Sequence, residues 1–184
     1  MPILKHQPDI HPKDLLESVC PSTDAHWWLV YTLSRREKDL VRRLIAANCA
    51  CYAPTYRKGR RSPLGRIRIV QAPLFPNYVF LFGDDDTRRT ALATNCVSRI
   101  DPVAPGRPLT EDLQRLRSLL NGERAVCPEL RLKPGEPVSI RSGPFRGLTG
   151  TLVKRDKVNR LVVAVDFIQR GASIEVFDFE VEAA

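Results

Sequence analysis

The 184-residue chain has room for one domain or two small ones, and its 43% hydrophobic content suffices for a core. No stretch approaches the roughly 18 apolar residues of a membrane-spanning helix, and the N-terminus lacks the basic-then-apolar layout of a secretory signal, so a cytoplasmic protein without membrane contact is expected. Net charge is +8 and unevenly spread: residues 27–120 hold 17 Lys and Arg against 8 Asp and Glu, whereas residues 134–184 hold 7 of each. A basic surface confined to one region is the electrostatic footprint of a polyanion running past it, although excess Lys and Arg also serves solubility.

Residues 1–26 carry Pro2, Pro8, Pro12 and Pro21 with little periodicity, which reads as a mobile arm with one helical turn at 14–19. Residues 27–32 alternate as a first strand. From Arg35 to Asn48 the period changes to that of a helix, with Leu40, Val41, Leu44 and Ile45 on one face and Arg35, Lys38 and Arg42 striped along the other. A short strand at 51–54 precedes Arg57, Lys58, Arg60, Arg61, Arg66 and Arg68, set around Gly59, Pro63 and Gly65 as in a basic hairpin tip. The five large apolar residues from Tyr78 to Phe82 predict a strand covered on both faces. Asp84, Asp85 and Asp86 predict the turn and cap of a short helix over 87–92 rather than a metal site. A fourth strand is expected at 97–100. Next comes a helix capped by Thr110, with Leu113, Leu116, Leu119 and Leu120 as its apolar stripe and Asn121-Gly122 as its exit.

Residues 122–133 read as a linker, and the rest as short strands with β-branched runs such as Val162, Val163 and Val165. Five strands in so short a span predict a small closed barrel. Between its first two strands, Gly143, Pro144 and Gly147 form a tight turn expected to present Phe145 outward.

Catalytic chemistry finds no support. His6, His11 and His26 all precede the expected folded region, no serine or cysteine pairs with one, and no phosphate-binding loop follows a strand. Cys20, Cys49, Cys51, Cys96 and Cys127 are odd in number and form no Cys-x-x-Cys pair, so they read as buried free thiols. Neither an enzyme, a metal nor a cofactor is expected.

The strand, Gly143-Pro144-Phe145-Arg146-Gly147-Leu148-Thr149-Gly150, strand pattern resembles the KOW motif found in NusG-family transcription factors and some ribosomal proteins. Trp27-Trp28-Leu29-Val30-Tyr31, Pro54-Thr55, Phe75-Pro76-Asn77-Tyr78-Val79-Phe80 and Pro134-Gly135 stand in the order of the NusG family, and the resemblance covers roughly residues 27–182. Pro73-Leu74-Phe75-Pro76-Asn77-Tyr78 is most similar to the specialised RfaH-type antiterminators. The resemblance implies an α+β chain: an arm over 1–26, an NGN domain over 27–121 (a four-stranded antiparallel sheet flanked by helices), a linker over 122–133 and a five-stranded all-β KOW barrel over 134–184.

The same resemblance implies that a monomer grips the clamp helices of RNA polymerase through Tyr31, Phe75, Tyr78, Phe80 and Val103. Thr87, Arg88 and Arg89 would meet the opposite jaw of the polymerase cleft. Arg35, Arg36, Lys38, Arg42 and Arg43, with Arg60 and Arg61 of the hairpin, would hold the non-template DNA strand of the transcription bubble. Phe145, Arg146 and Ile168 would dock either a small-subunit ribosomal protein or Rho. An operon-specific antiterminator is the expected function; a housekeeping factor coupled to Rho, or a ribosome-associated RNA-binding module, stands beside it. The β-branched run predicts a barrel that keeps its fold.

Overall fold

The computed structural model describes residues 8–19, 24–61, 67–129, 135–155, 158–176 and 180–183. Cys20, Arg66 and Pro134, and the side chains of Arg60 and Arg61, lie outside the described set. Its architecture is mixed α+β with antiparallel sheets, as the fold-class expectation had it at that level. Two compact units form, one from 1–54 and 75–110 and one from 55–74 and 111–184. The hairpin region and most of the last predicted helix, expected in the first domain, therefore group with the C-terminal residues.

In the first unit, β1 (Ile10–His11), β2 (His26–Thr32), β3 (Ala50–Tyr52), β6 (Tyr78–Gly83) and β7 (Val97–Val103) make a five-stranded sheet in the order β1-β3-β6-β2-β7. Central β2 is paired on both sides. Its pleat sends Trp28 and Val30 to one face, where they meet Val79 and Leu81 of β6, Leu40, Val41 and Leu44 of α2 (Glu37–Ala46) and Ala91 of α3 (Asp85–Ala93). Helix α2 is shorter than its periodicity predicts. Arg35 at φ 62° and Asn48 at φ 54° sit in the left-handed region just outside its ends, and neither conformation continues a right-handed helix.

The first 26 residues are more ordered than the arm expected of them. Ile10 pairs with Tyr52 across β1 and β3, and Leu15 and Leu16 of α1 (Leu15–Ser18) are buried with it. Three apolar side chains within a proline-rich stretch recover enough buried surface to hold it in place and cover the β3 edge. Thr110 is not the cap of α4, which starts at Gly106 and ends at Leu120. Its hydroxyl instead donates to the Gly106 carbonyl at 3.1 Å and accepts from the Trp27 indole at 2.8 Å, satisfying a buried donor on the other face of β2.

The second unit holds the two-stranded hairpin β4 (Thr55–Arg61) and β5 (Ile67–Pro73) and a six-stranded antiparallel sheet. That sheet comprises β8 (Cys127–Glu129), β9 (Glu136–Ile140), β10 (Thr149–Arg155), β11 (Val158–Val165), β12 (Arg170–Glu175) and β13 (Val181–Ala183), in the order β13-β9-β10-β11-β12-β8. The strand beyond the expected five is β8, built from residues predicted as linker. Among the described thiols, Cys51 and Cys96 are buried, Cys49 is half-buried and Cys127 is exposed, so burial does not extend to them all. Burial first, and then Cys49 beside it, pushes the Cys51 thiol up to about 12.

Asp84 caps α3, accepting from the Thr87 amide and hydroxyl, each at 2.8 Å. The amide bond leads the causes that hold its carboxyl below the ordinary value, so its contribution is present above about pH 4 and disappears as pH falls through the lowered folded value. Asp84→Ala is therefore expected to lower Tm at pH 7, with the gap from wild type shrinking below about pH 4 in melts followed by circular dichroism.

Candidate functional site

The register of β7, β2 and β6 sorts the expected polymerase-contact residues into rows across one sheet face. Arg99, Tyr31 and Tyr78 make one row; Asp101, Leu29 and Phe80 the next; Val103, Trp27 and Phe82 the third. The face is most exposed at its first row, although Phe82 in the third row is half-buried as the tyrosines are. Leu29 and Phe80 are fully enclosed and Val103 is 2% exposed, whereas Tyr31 and Tyr78 are half-buried and Arg99 is exposed. Phe75 is also buried, with its ring edge-on to Phe80 at 6.3 Å. Exposure expected of Phe75, Phe80 and Val103 is thus not found: Phe80 and Val103 fall in the second and third rows, where they are covered, and Phe75 is buried ahead of β6 against Phe80.

At the open end, the Tyr31 and Tyr78 rings stand 5.0 Å apart and tilted, and the Arg99 guanidinium carbon is 4.3 Å from the Tyr31 ring centroid. Arg99 also pairs with Asp101 at 2.8 Å. Its bond to Tyr31 first, and the Asp101 charge after it, hold the guanidinium more firmly protonated. Tyr78 is aimed by the turn before it, where Asn77 at φ 69° donates its amide to Glu37 at 2.8 Å and gives its carbonyl to the Thr32 amide at 2.9 Å. Two neighbouring rings with a guanidinium over one of them give an aromatic patch whose cation is shared with Asp101.

Arg35, Arg36, Lys38, Arg42 and Arg43 are all exposed at or before α2. Asp39 gathers three of them, at 3.3 Å to Arg36, 3.3 Å to Arg42 and 3.5 Å to Arg43. The Cys96 thiol at 3.5 Å, then Arg43 and Arg36, hold the Asp39 carboxyl below the usual range. One carboxylate leaves most of the charge of three arginines uncompensated and sets their spacing. Thr87, Arg88 and Arg89 at the start of α3 are engaged locally: Thr87 with Asp84, Arg88 with Asp85 at 2.7 Å, and Arg89 with Asp85 at 3.1 Å and Asp86 at 2.8 Å. Arg88 also lies 5.6 Å from the Trp28 ring centroid.

In the second unit, Arg57 and Lys58 are exposed on β4, and Ile69, opposite Gly59, is 72% exposed on β5. Arg60 pairs in register with Arg68. Phe145 departs from expectation. Its turn is as tight as predicted, with Gly143 at φ 84°, Gly147 at φ 83° and the Gly147 amide bonded to the Ile140 carbonyl at 2.7 Å, yet the ring is only 6% exposed. It packs on Gly122 and lies under Arg124. Arg146 is exposed, and Ile168 is half-buried in the short 3-10 turn Asp166–Ile168, whose Asp166 amide is held by Asp112 at 3.0 Å. Sequence reasoning missed Arg99, Asp39, Gly122, Arg124 and Glu180. A period-two reading of 97–103 marks Arg99 as sharing a face with Asp101 and Val103, but no local pattern announces a contact as distant in sequence as Arg124 with Glu180.

Among the described residues no helix is long and apolar enough to cross a membrane, and no cluster has the make-up of a metal site. Burial separates two kinds of aromatic on one face: Phe80→Ala is expected to lower the unfolding free energy by about 3–5 kcal/mol, and Tyr78→Ala by far less, in urea denaturation of the full chain.

Residues 25–110 match the family described as "Transcription termination factor nusG". Transcription termination/antitermination protein NusG from two strains of Helicobacter pylori, 26695 and J99, is in each case 29% identical to this chain over 126 residues, covering 66% of it and 72% of the relative. Over its N-terminal region, where the Tyr31 and Tyr78 face and the arginine-bearing helix lie, the chain is similar to the NusG family.

Proposed function

We propose that the chain is a transcription termination/antitermination factor that binds RNA polymerase through the open end of its N-terminal sheet. The observation that carries this reading is the Arg99, Tyr31, Tyr78 row, which joins two aromatic rings to an exposed cation at the most open end of the face. Aromatic and arginine anchors of this kind dominate interface energetics, at about 2 kcal/mol or more each on truncation. A coiled coil with an apolar seam and acidic flanks, such as the polymerase clamp helices, matches that chemistry. Thr87, Arg88 and Arg89 are proposed to meet the opposite side of the polymerase cleft, their local acidic partners exchanging for those of the enzyme. A factor that bound the closed clamp better than the open one would suppress pausing by shifting that population alone.

The arginine stripe of α2 and the basic hairpin are proposed to run along the non-template DNA strand. Phosphate contacts of this sort are salt-dependent and carry no sequence information directly. Arg35 supports the assignment. It holds a left-handed φ that glycine would adopt without cost, so its side chain is retained at the expense of backbone ease. The second unit is proposed to be a KOW-type module that recruits a further partner through the region of Phe145, Arg146 and Ile168. The partner is a ribosomal protein in an operon-specific antiterminator and Rho in a housekeeping factor. The names of the two Helicobacter pylori relatives favour keeping the housekeeping reading alongside the specialised one. Genome-wide polymerase occupancy with and without the factor separates them, since a specialist changes a few loci and a housekeeping factor changes all.

Tagged full-length protein is expected to recover RNA polymerase from lysate, with Tyr78→Ala weakening recovery at least 30-fold while leaving the melt nearly unchanged; recovery of ribosomes alone would sink the proposal. Arg35→Gly is expected to leave Tm equal or higher while weakening binding to a single-stranded DNA oligonucleotide and flattening its dependence on salt.

A further inference from the structure

The residues expected to be a linker do not hang free in the described structure. Cys127–Glu129 adds a strand to β12, with Gly171 opposite Glu129 and Ser173 opposite Cys127, and the Ser173 hydroxyl donates to Glu129 at 2.7 Å. Ahead of that strand, Gly122 lies so close to Phe145 that a Cβ there would sit 2.1 Å from the ring's Cζ. Arg124 follows. Its guanidinium carbon is 5.9 Å from the Phe145 ring centroid, one nitrogen donates to the Glu175 carbonyl at 2.8 Å, and the fork closes on both oxygens of Glu180. Glu180 is itself buried and gives its carbonyl to the Arg141 amide at 2.9 Å. Arg124 therefore ties three separate stretches of chain around one aromatic ring.

We propose that residues 122–129 form a strap that keeps the Phe145 face closed, and that opening the clasp between Arg124 and Glu180 makes that face available to the recruited partner. The inference rests on the docking role proposed for Phe145. The same ring cannot lie against Gly122 and Arg124 and against another protein at once. The strap is able to open without unravelling the sheet, because β8 is a three-residue edge strand paired on one side, whereas β11 is paired on both sides. A partner that needs the open form binds with an affinity reduced by the fraction of time the strap is open.

Hydrogen exchange of the full-length chain, paired with binding to a purified small-subunit ribosomal protein and to Rho, tests this. Arg124→Ala is expected to speed exchange at 122–129 and at the Gly147 and Leu148 amides about tenfold, to leave Val162–Val165 protected, and to tighten partner binding by a similar factor. Adding Phe145→Ala to that variant should abolish the gain. Should Val162–Val165 lose protection in Arg124→Ala, the comparison is made with Glu180→Gln, which removes the charge and keeps the shape. Unchanged exchange at Gly147 and Leu148 would overturn the strap itself, and faster exchange with weaker binding would overturn its masking role. Faster exchange with neither partner bound by any variant would overturn the docking reading and, with it, the regulation built on it.

Discussion

The two-sided pairing of β2 is the constraint on which the N-terminal unit depends. A strand hydrogen-bonded along both edges cannot slip by one residue without turning every side chain to the wrong face. With Trp28 and Val30 committed to the cluster under α2 and α3, Trp27, Leu29 and Tyr31 must lie on the other side. The Trp27 indole finds its acceptor there in Thr110, which fixes the closed end of that face. Tyr31 and Tyr78 are left at the opposite end. Which aromatic can touch another molecule thus follows from register and not from residue type.

Charge is organised by a similar economy. No Asp or Glu occurs between Leu40 and Gly83, a span that contains eight of the basic residues. Arg42 and Arg43, at its start, share with Arg36 the single carboxylate of Asp39 just before it, while Arg60 stands in register with Arg68 on the hairpin. At the start of α3 the balance is different, because Asp84, Asp85 and Asp86 occupy the hydroxyl and guanidinium groups that follow them.

Much of the element order was legible from periodicity and punctuation. β2, α2, β6 and α3 stand within a few residues of their expected places because each carries a strong local pattern: alternation, an apolar stripe, a β-forming run or an aspartate cap. Legibility failed where a fold-wide contact overrides a local signal. Prolines mark residues 1–26 as an arm, but Ile10, Leu15 and Leu16 find a core to enter. Gly143, Pro144 and Gly147 do build the predicted tight turn, and turn chemistry alone does not say whether Phe145 at its tip meets water or the chain's own Gly122 and Arg124. Of the candidate site, the exposed arginines of α2 and the two tyrosines could be read from sequence; the enclosure of Phe75, Phe80 and Val103 could not, because it depends on what the rest of the fold packs over them.

Strands β3 and β6 are direct neighbours in the sheet, with Tyr52 opposite Phe80, yet the chain leaves at Ala53 and returns only at Asn77. The whole basic hairpin is an excursion spliced into a junction that a short turn would close. The register between β3 and β6 is set by their own ladder, so the length and charge of the hairpin are free to change without turning the tyrosine-bearing sheet.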